Sequence, residues 1–363
     1  MEVMITNKKM SNIKKMLTNE LNIVLFSKYR LTLMGIAILG VLSGHFFTLS
    51  GIVPSNIITL LFSKIYILVF TQGFLFLSGF GLYFSYSKNS STIDFYKRRL
   101  FRVLVPYIIL TTPYFIYVDF FVNQPDLLKF IGHITTLGYW VVGTSNGLWY
   151  IAVSIALYAI YPLAHKAVFY KKDSFSCVLL SWGILMAIIS SLNFYLIKYQ
   201  HEFYSAHDLG IDQYSIFFVG MLTGYILQSK KIKYQLTLIV FFVLSFVLQR
   251  ILPELNFLYD PMKKVCIFMP LICVFFYLLE GRAKLINWLK ITLDWMGKYT
   301  LELYILHSII YRFLVQLEIA NLNSAVSISL AIVISLAFCQ PIHLLIDKIV
   351  NRLKFTTSHS WHS

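Results

Sequence analysis

Long apolar runs dominate the sequence, and the first of them, residues 31–50, reads LTLMGIAILGVLSGHFFTLS. A bilayer core of about 30 Å is crossed by roughly 20 helical residues, so this run is long enough to span a membrane. Asp, Glu, Lys and Arg make up only 13% of the chain, where a typical soluble domain has about 25%. Short alternating segments typical of a transmembrane barrel are not found. The sequence therefore predicts an all-α integral membrane protein.

Apolar runs bounded by charges or turn residues predict about ten transmembrane helices. They cover 31–50, 66–86, 103–121, 147–168, 175–197, 214–228, 235–252, 264–280, 298–317 and 324–346. Residues 57–65 either lie at the interface or lengthen the second helix. The short span 214–228 contains Gly220 and Gly224, so it is either broken or tightly packed.

The distribution of basic residues sets the expected topology. With the N-terminus in the cytoplasm, alternating spans place 24 of the 31 Lys and Arg residues on the inner side, as the positive-inside rule requires. We therefore expect both termini in the cytoplasm. The chain divides into a basic N-terminal segment (1–30), a membrane domain (31–347) and a cytoplasmic tail (348–363).

Several function classes are not expected. The net charge of +15 lies in short runs between apolar spans, so topology explains it and no nucleic-acid partner is predicted. The four cysteines lie in apolar runs without a CxxC or a cysteine–histidine cluster, and we predict neither a disulfide framework nor a metal site. GxSxG, GxGxxG, Walker and HExxH motifs are absent. Any chemistry must use polar residues within the spans.

His45 is the one ionisable residue of the first span. An imidazole within a membrane is costly unless it faces a polar cavity or a partner, so it is a functional candidate by default. The alternative is that His45 only hydrogen-bonds to a neighbouring helix.

The ninth span, in GKYTLELYILHSII, carries a second histidine. His307 lies about 9 residues into this span, roughly 14 Å by helical rise, and therefore near the middle of the bilayer. Tyr304 shares its face at i−3, whereas Glu302 turns partly away and is placed to pair with Lys298. This stripe either fixes helix packing or supports a site.

The basic run YKRRLFR contains Arg98, Arg99 and Arg102. It is either a stop-transfer cluster or a clamp for the phosphates of an anionic cytoplasmic cosubstrate, since guanidinium forks suit phosphates.

The predicted outer side offers aromatic and acidic residues. Trp149 and Tyr150 open the fourth span and are either interfacial anchors or part of a site. Further outer residues could contact a sugar, and the sequence does not choose among them: Asp119, Asp126, His133, Asp208, Asp212, Glu254 and Asp260.

Five stretches resemble the membrane acyltransferase family 3 in content, order and spacing. They are MGIAILGVLSGHF, FLFLSGFGLYFSYS, FYKRRLFRVLVPYI, GLWYIAVSIALYAIYPL and GKYTLELYILHSII. The resemblance covers about residues 30–347. That family moves acyl groups, usually acetyl, from cytoplasmic acyl-CoA to hydroxyls on surface glycans and lipids.

The resemblance implies a multi-pass O-acyltransferase of the bacterial plasma (inner) membrane. It implies acetyl-CoA as the donor cosubstrate, no metal, and a surface glycan or lipid-linked sugar as the acceptor in contact with the lipid bilayer. It leaves a homo-oligomer open. We expect no fused esterase-like domain, so the chain should act alone on its acceptor.

The resemblance also assigns roles to residues. His45 matches the family's histidine and would be the catalytic base or the acyl-handling residue, which suits an imidazole near neutral pH. The family usually has an arginine eleven positions earlier, where this chain has Met34, and Arg30, one turn before, is the substitute. Two further sets follow: Arg98, Arg99 and Arg102 for the CoA phosphates, and Trp149, Tyr150, Glu302, Tyr304 and His307 as substrate or support residues.

Arg30 lies about 15 residues from His45, roughly 22 Å along a helix. An extended cofactor arm anchored at the inner face could therefore deliver a thioester deep into the membrane. Two other functions stay open: a transporter or flippase of the same architecture, which Met34 favours, and a non-catalytic subunit of a glycan assembly complex.

Overall fold

The computed structural model describes residues 25–53, 55–143, 148–229, 269, 272–279, 284–316 and 324–359, with the side chains of 58, 61–70 and 354–359 outside the description. Every regular element in these ranges is helical. The helices are α1 (Arg30–Ser50), α2 (Ile57–Lys88), α3 (Thr92–Val122), α4 (Leu127–Thr135), α5 (Leu137–Val142), α6 (Trp149–Val168), α7 (Phe175–Tyr199), α8 (His201–Ile211), α9 (Tyr214–Ser229), α10 (Lys284–Lys298), α11 (Thr300–Gln316) and α12 (Ser324–His359).

Five helices of the described part are long and apolar enough to cross a membrane: Arg30–Ser50, Thr92–Val122, Trp149–Val168, Phe175–Tyr199 and Ser324–Leu353. The predicted class, an all-helical membrane protein, is confirmed. The predicted span 235–252 and about half of 264–280 lie outside the described residues. The count of ten spans and the cytoplasmic termini therefore stay predictions.

Helix α2 begins at Ile57, so residues 57–65 lengthen the second helix, which is one of the two alternatives. Helix α3 is longer than the predicted span 103–121 and contains two π-helical segments, Leu100–Leu104 and Tyr117–Val122. Helix α12 continues to His359, past the predicted end at 346. The gaps between predicted spans contain the short helices α4, α5 and α8 and the helix α10.

Glycines allow two helix pairs to pack backbone against backbone. A Cβ atom at Gly35 would lie 1.9 Å from the Leu293 carbonyl oxygen, and one at Gly297 would lie 2.0 Å from that of Leu31. The order of these contacts shows that α1 and α10 run antiparallel. Such small residues let helix axes approach closely.

The same arrangement joins α2 and α9. A Cβ at Gly79 would lie 2.0 Å from the Phe217 carbonyl oxygen, and one at Gly220 would lie 2.2 Å from that of Phe76. Helix α9 is buried over most of its length. The short sixth span is therefore tightly packed and unbroken, the second of the alternatives set out above.

Replacing Gly35 with alanine should destabilise the protein by about 1–3 kcal/mol, because the added methyl group overpacks the α1–α10 contact. The thermal unfolding midpoint of the detergent-solubilised protein measures this change. Gly183→Ala is the matched control, since nothing lies within 4 Å of a Cβ there, and it should leave the midpoint unchanged or raise it. Equal midpoints for Gly35→Ala and the wild type would contradict the close helix contact.

Candidate active site

The two intramembrane histidines lie against each other. His45 Nδ1 of α1 and His307 Nε2 of α11 are 2.8 Å apart, and the ring centroids are separated by 5.0 Å. His307 is 0% exposed, whereas His45 is partly exposed. The structure thus joins residues that are far apart in sequence into one pair, with the accessible ring belonging to His45.

A backbone carbonyl sets the proton positions in this pair. The Leu303 carbonyl oxygen lies 2.7 Å from His307 Nδ1. A carbonyl only accepts, so His307 Nδ1 carries the proton and donates it. In the neutral pair His307 Nε2 is therefore the acceptor, and His45 Nδ1 is the donor. The lone pair of His45 then lies on Nε2, the nitrogen that faces away from His307, where it can act as a base.

Two tyrosines lie between the histidine pair and a neighbouring cavity. The Tyr304 ring contacts His307 edge-on at 6.0 Å between centroids, and Tyr150 contacts Tyr304 at 5.4 Å. Both tyrosines line the cavity. They therefore connect the histidine pair with that space.

The cavity has a volume of about 390 Å³ and lies among the N-terminal parts of α1, α3 and α11. Arg30, Arg99 and Arg102 line it, as does Met34. Arg30 and Met34 are one helical turn apart, so the arginine and the position at which the family usually has an arginine face the same space.

The arginines of this cavity lack carboxylate partners among the described residues. No ion pair within 4.0 Å involves Arg30, Arg99 or Arg102 there, and the buried Nε atoms of Arg30 and Arg99 have no hydrogen-bond partner. The three guanidinium groups also repel one another. Uncompensated buried cations are costly. This donor set therefore fits a ligand with several anionic groups, such as phosphates.

Glu302 lines the same cavity and is paired with a residue that the sequence did not single out. Its Oε1 lies 2.7 Å from His343 Nδ1, and His343 Nε2 lies 3.3 Å from Asp347 on the next turn of α12. The i,i+4 spacing of His343 and Asp347 is the only sequence signal for this cluster. Glu302 therefore forms its described ion pair with His343. Lys298, the partner expected from the sequence, also lines the cavity but forms no described ion pair with Glu302.

Four of the predicted residues do not line the cavity: the paired His45 and His307, and also Arg98 and Trp149. Arg98 neighbours Arg99 in the chain but does not line the cavity, and the same holds for Trp149 next to Tyr150. Trp149 is buried against Tyr150, with ring centroids 6.2 Å apart. No group of three His, Cys, Asp or Glu residues in the described ranges could hold a metal ion.

The fold and the site define a class: a multi-pass helical membrane protein with a buried histidine pair beside an arginine-lined cavity. The family model described as an acyltransferase domain matches residues 33–344. The chain therefore belongs to the acyltransferase 3 family, which confirms the resemblance found in the sequence and supports an acyltransferase activity. Comparisons with curated proteins and with solved structures returned no match.

If His307 orients His45, then His307→Leu should lower the acyl-transfer rate about a hundredfold or more, since positioned bases contribute about 10²–10⁴. His307→Gln should retain more activity than His307→Leu, because its amide oxygen can accept the His45 Nδ1 proton. The measurement is the transfer rate in membranes at matched protein levels. A wild-type rate for His307→Leu would show that the contact is only a packing contact.

Proposed function

We propose that this protein transfers an acyl group, most simply acetyl, from acyl-CoA on the cytoplasmic side to a hydroxyl of a cell-surface glycan or lipid-linked sugar. The membrane would be the bacterial plasma membrane. The observation that carries the proposal is the hydrogen bond between His45 and His307, whose direction the Leu303 carbonyl sets.

His45 is the general base of the proposed reaction. Its Nε2 takes the proton of the acceptor hydroxyl as the hydroxyl oxygen attacks the thioester carbonyl carbon. The carbon–sulfur bond breaks, an oxygen ester forms, and the proton passes from His45 to the departing thiolate. His307 keeps His45 oriented throughout and shares the charge of the imidazolium.

The arginine-lined cavity is the donor side of the proposed site. Arg30, Arg99 and Arg102 supply guanidinium groups for phosphates. The buried Nε atoms of Arg30 and Arg99, which have no hydrogen-bond partner among the described residues, support this role. The aromatic residues Tyr150 and Tyr304 line the way from these cations to the histidine pair. An acyl chain on an extended arm needs such an apolar path.

His45→Ala should abolish base-labile acyl esters on the surface glycan while the protein still inserts into the membrane. The test is complementation of a strain that lacks the gene, followed by mild alkaline release and quantification of acetate from the purified glycan. His201→Ala is the matched control, because His201 is an exposed residue at the start of α8.

The same experiment separates the alternatives. Unchanged glycan esters in the His45→Ala strain would overturn the acyltransfer mechanism. A transporter would instead show a loss of exported glycan with the remaining glycan normally acylated.

Two adjacent arginines test the donor side. Arg99→Gln should weaken acetyl-CoA binding to the purified protein about tenfold or more, as expected for a lost charge-assisted hydrogen bond. Arg98→Gln should change binding much less, because Arg98 does not line the cavity. Isothermal titration calorimetry of both variants measures the difference. Equal affinities for the two variants and the wild type would remove the proposed phosphate contact.

A further inference from the structure

Arg312 is a charged residue near the histidine pair to which the proposed function gives no role. It lies on α11, five residues after His307, and is partly buried. Its guanidinium acts electrostatically on the His45 ring and on Tyr304. The same charge acts on Tyr114 of α3. The guanidinium is therefore close enough to the reacting imidazole for its charge to act on that ring.

Arg312 lies at the opposite end of the site from the donor cavity. The N-terminal parts of α1, α3 and α11 line that cavity, while the C-terminal parts of α3 and α11 meet at Tyr117 and Phe313, with ring centroids 5.3 Å apart. These helices thus run in the same direction, and the His45–His307 pair lies between the cavity and Arg312. A second substrate approaching from the side away from the donor would meet Arg312 first.

Among the described residues, Arg312 also lacks a carboxylate partner. The ion pairs among the described residues are His133–Asp119, Lys290–Asp294, His343–Glu302 and His343–Asp347, and none includes Arg312. A guanidinium within a membrane domain is costly, and such residues typically mark substrate paths.

Two of the outer residues that the sequence left open, Asp119 and His133, lie near Tyr114. Asp119 Oδ2 is 2.7 Å from His133 Nδ1, and both residues are buried. Asp119 acts electrostatically on Tyr114, and its buried Oδ1 atom has no hydrogen-bond partner in the described part of the chain. Among the described residues, one buried acceptor group therefore remains unsatisfied near Tyr114.

The other described candidates have local roles. Asp126 Oδ1 accepts from the Lys129 backbone N–H and caps helix α4. Asp212 accepts from the Tyr204 hydroxyl at 3.0 Å, and burial raises the pKa of its carboxyl to about 6. Asp208 Oδ1 accepts from the Leu209 backbone N–H. Glu254 and Asp260 lie outside the described residues.

We propose that Arg312 and Tyr114 form the acceptor-binding end of the site and hold a sugar so that one of its hydroxyls faces His45 Nε2. Sugar hydroxyls both donate and accept hydrogen bonds. The guanidinium supplies donors, the phenol supplies both, and Asp119 Oδ1 supplies an acceptor behind them. The ligand class is a polyhydroxylated sugar, and this assignment rests on the proposed acyl transfer.

The test varies the acceptor and the donor separately. The probe is the de-O-acetylated surface glycan of the source cell, with acetyl-CoA as donor and the full-length protein in proteoliposomes. Arg312→Gln should raise the KM for the glycan about ten- to a hundredfold, the loss expected for a charge-assisted hydrogen bond. The KM for acetyl-CoA should stay within twofold.

Companion variants separate a binding role from a folding role. Lys129→Gln removes an exposed charge on neighbouring α4 and should change nothing. Arg312→Lys should give an intermediate KM, because an ammonium keeps the charge but loses the fork. Tyr114→Phe should raise the glycan KM by a smaller factor. An Arg312→Gln protein with the wild-type glycan KM, or with both KM values raised equally, would overturn the proposal.

Equilibrium binding of the same glycan distinguishes this proposal from the proposed chemistry. Glycan binding should persist in His45→Ala and fall in the His45→Ala, Arg312→Gln double variant. If the wild type binds the glycan through Arg312 but forms no ester, the acyl-transfer proposal fails and the glycan site stands. If the double variant binds the glycan as tightly as His45→Ala, the acceptor site is refuted whatever the wild type catalyses.

Discussion

The carbonyl group of Leu303 sets the hydrogen-bond directions in the histidine pair. It belongs to the backbone of α11, so its direction follows the helix axis and it can only accept a hydrogen bond. His307 must therefore donate from Nδ1, which leaves His45 as the donor across the pair. The unprotonated nitrogen of His45 is thereby Nε2, the nitrogen that faces away from His307. No carboxylate is needed to orient the ring, which avoids burying a second charge beside it.

The placement of His307 depends in turn on the close contact between α1 and α10. Gly35 and Gly297 let the two backbones meet, and α11 begins at Thr300, directly after the end of α10. The contact at Gly297 therefore fixes where α11 starts relative to α1, and His307 lies ten residues further along. A small shift between α1 and α10 would move the two histidines relative to each other, since α1 carries His45 and α11, which carries His307, follows directly after α10.

Hydropathy alone was enough to predict the helical membrane class and the ends of several described helices, because the length of an apolar run is a local property. It was also enough to single out His45 and His307, since an imidazole inside a span is rare. Their pairing was not predictable, because the choice of neighbouring helices is encoded in contacts far apart in sequence. The rotation of each helix about its own axis was equally unpredictable from the sequence. Adjacent residues of a helix point about 100° apart, which is why Arg99 lines the cavity and Arg98 does not. Arg312 could not be singled out from the sequence, because an arginine near the end of a span resembles any other charge at a span boundary.

The arrangement along the three helices limits what has to cross the hydrocarbon. From Arg30 to His45 the path along α1 is about 22 Å, more than half of a bilayer core of about 30 Å. A donor held at the arginine cavity therefore needs to extend only its acyl end along Tyr150 and Tyr304 to reach the histidine pair. In the proposed reaction, an acceptor held at Arg312 would lie on the other side of the histidine pair, and neither its charge nor its polymer would have to pass the pair. Only the acyl group would move between the two ends, so the bulky and charged parts of both substrates would stay on their own sides of the membrane.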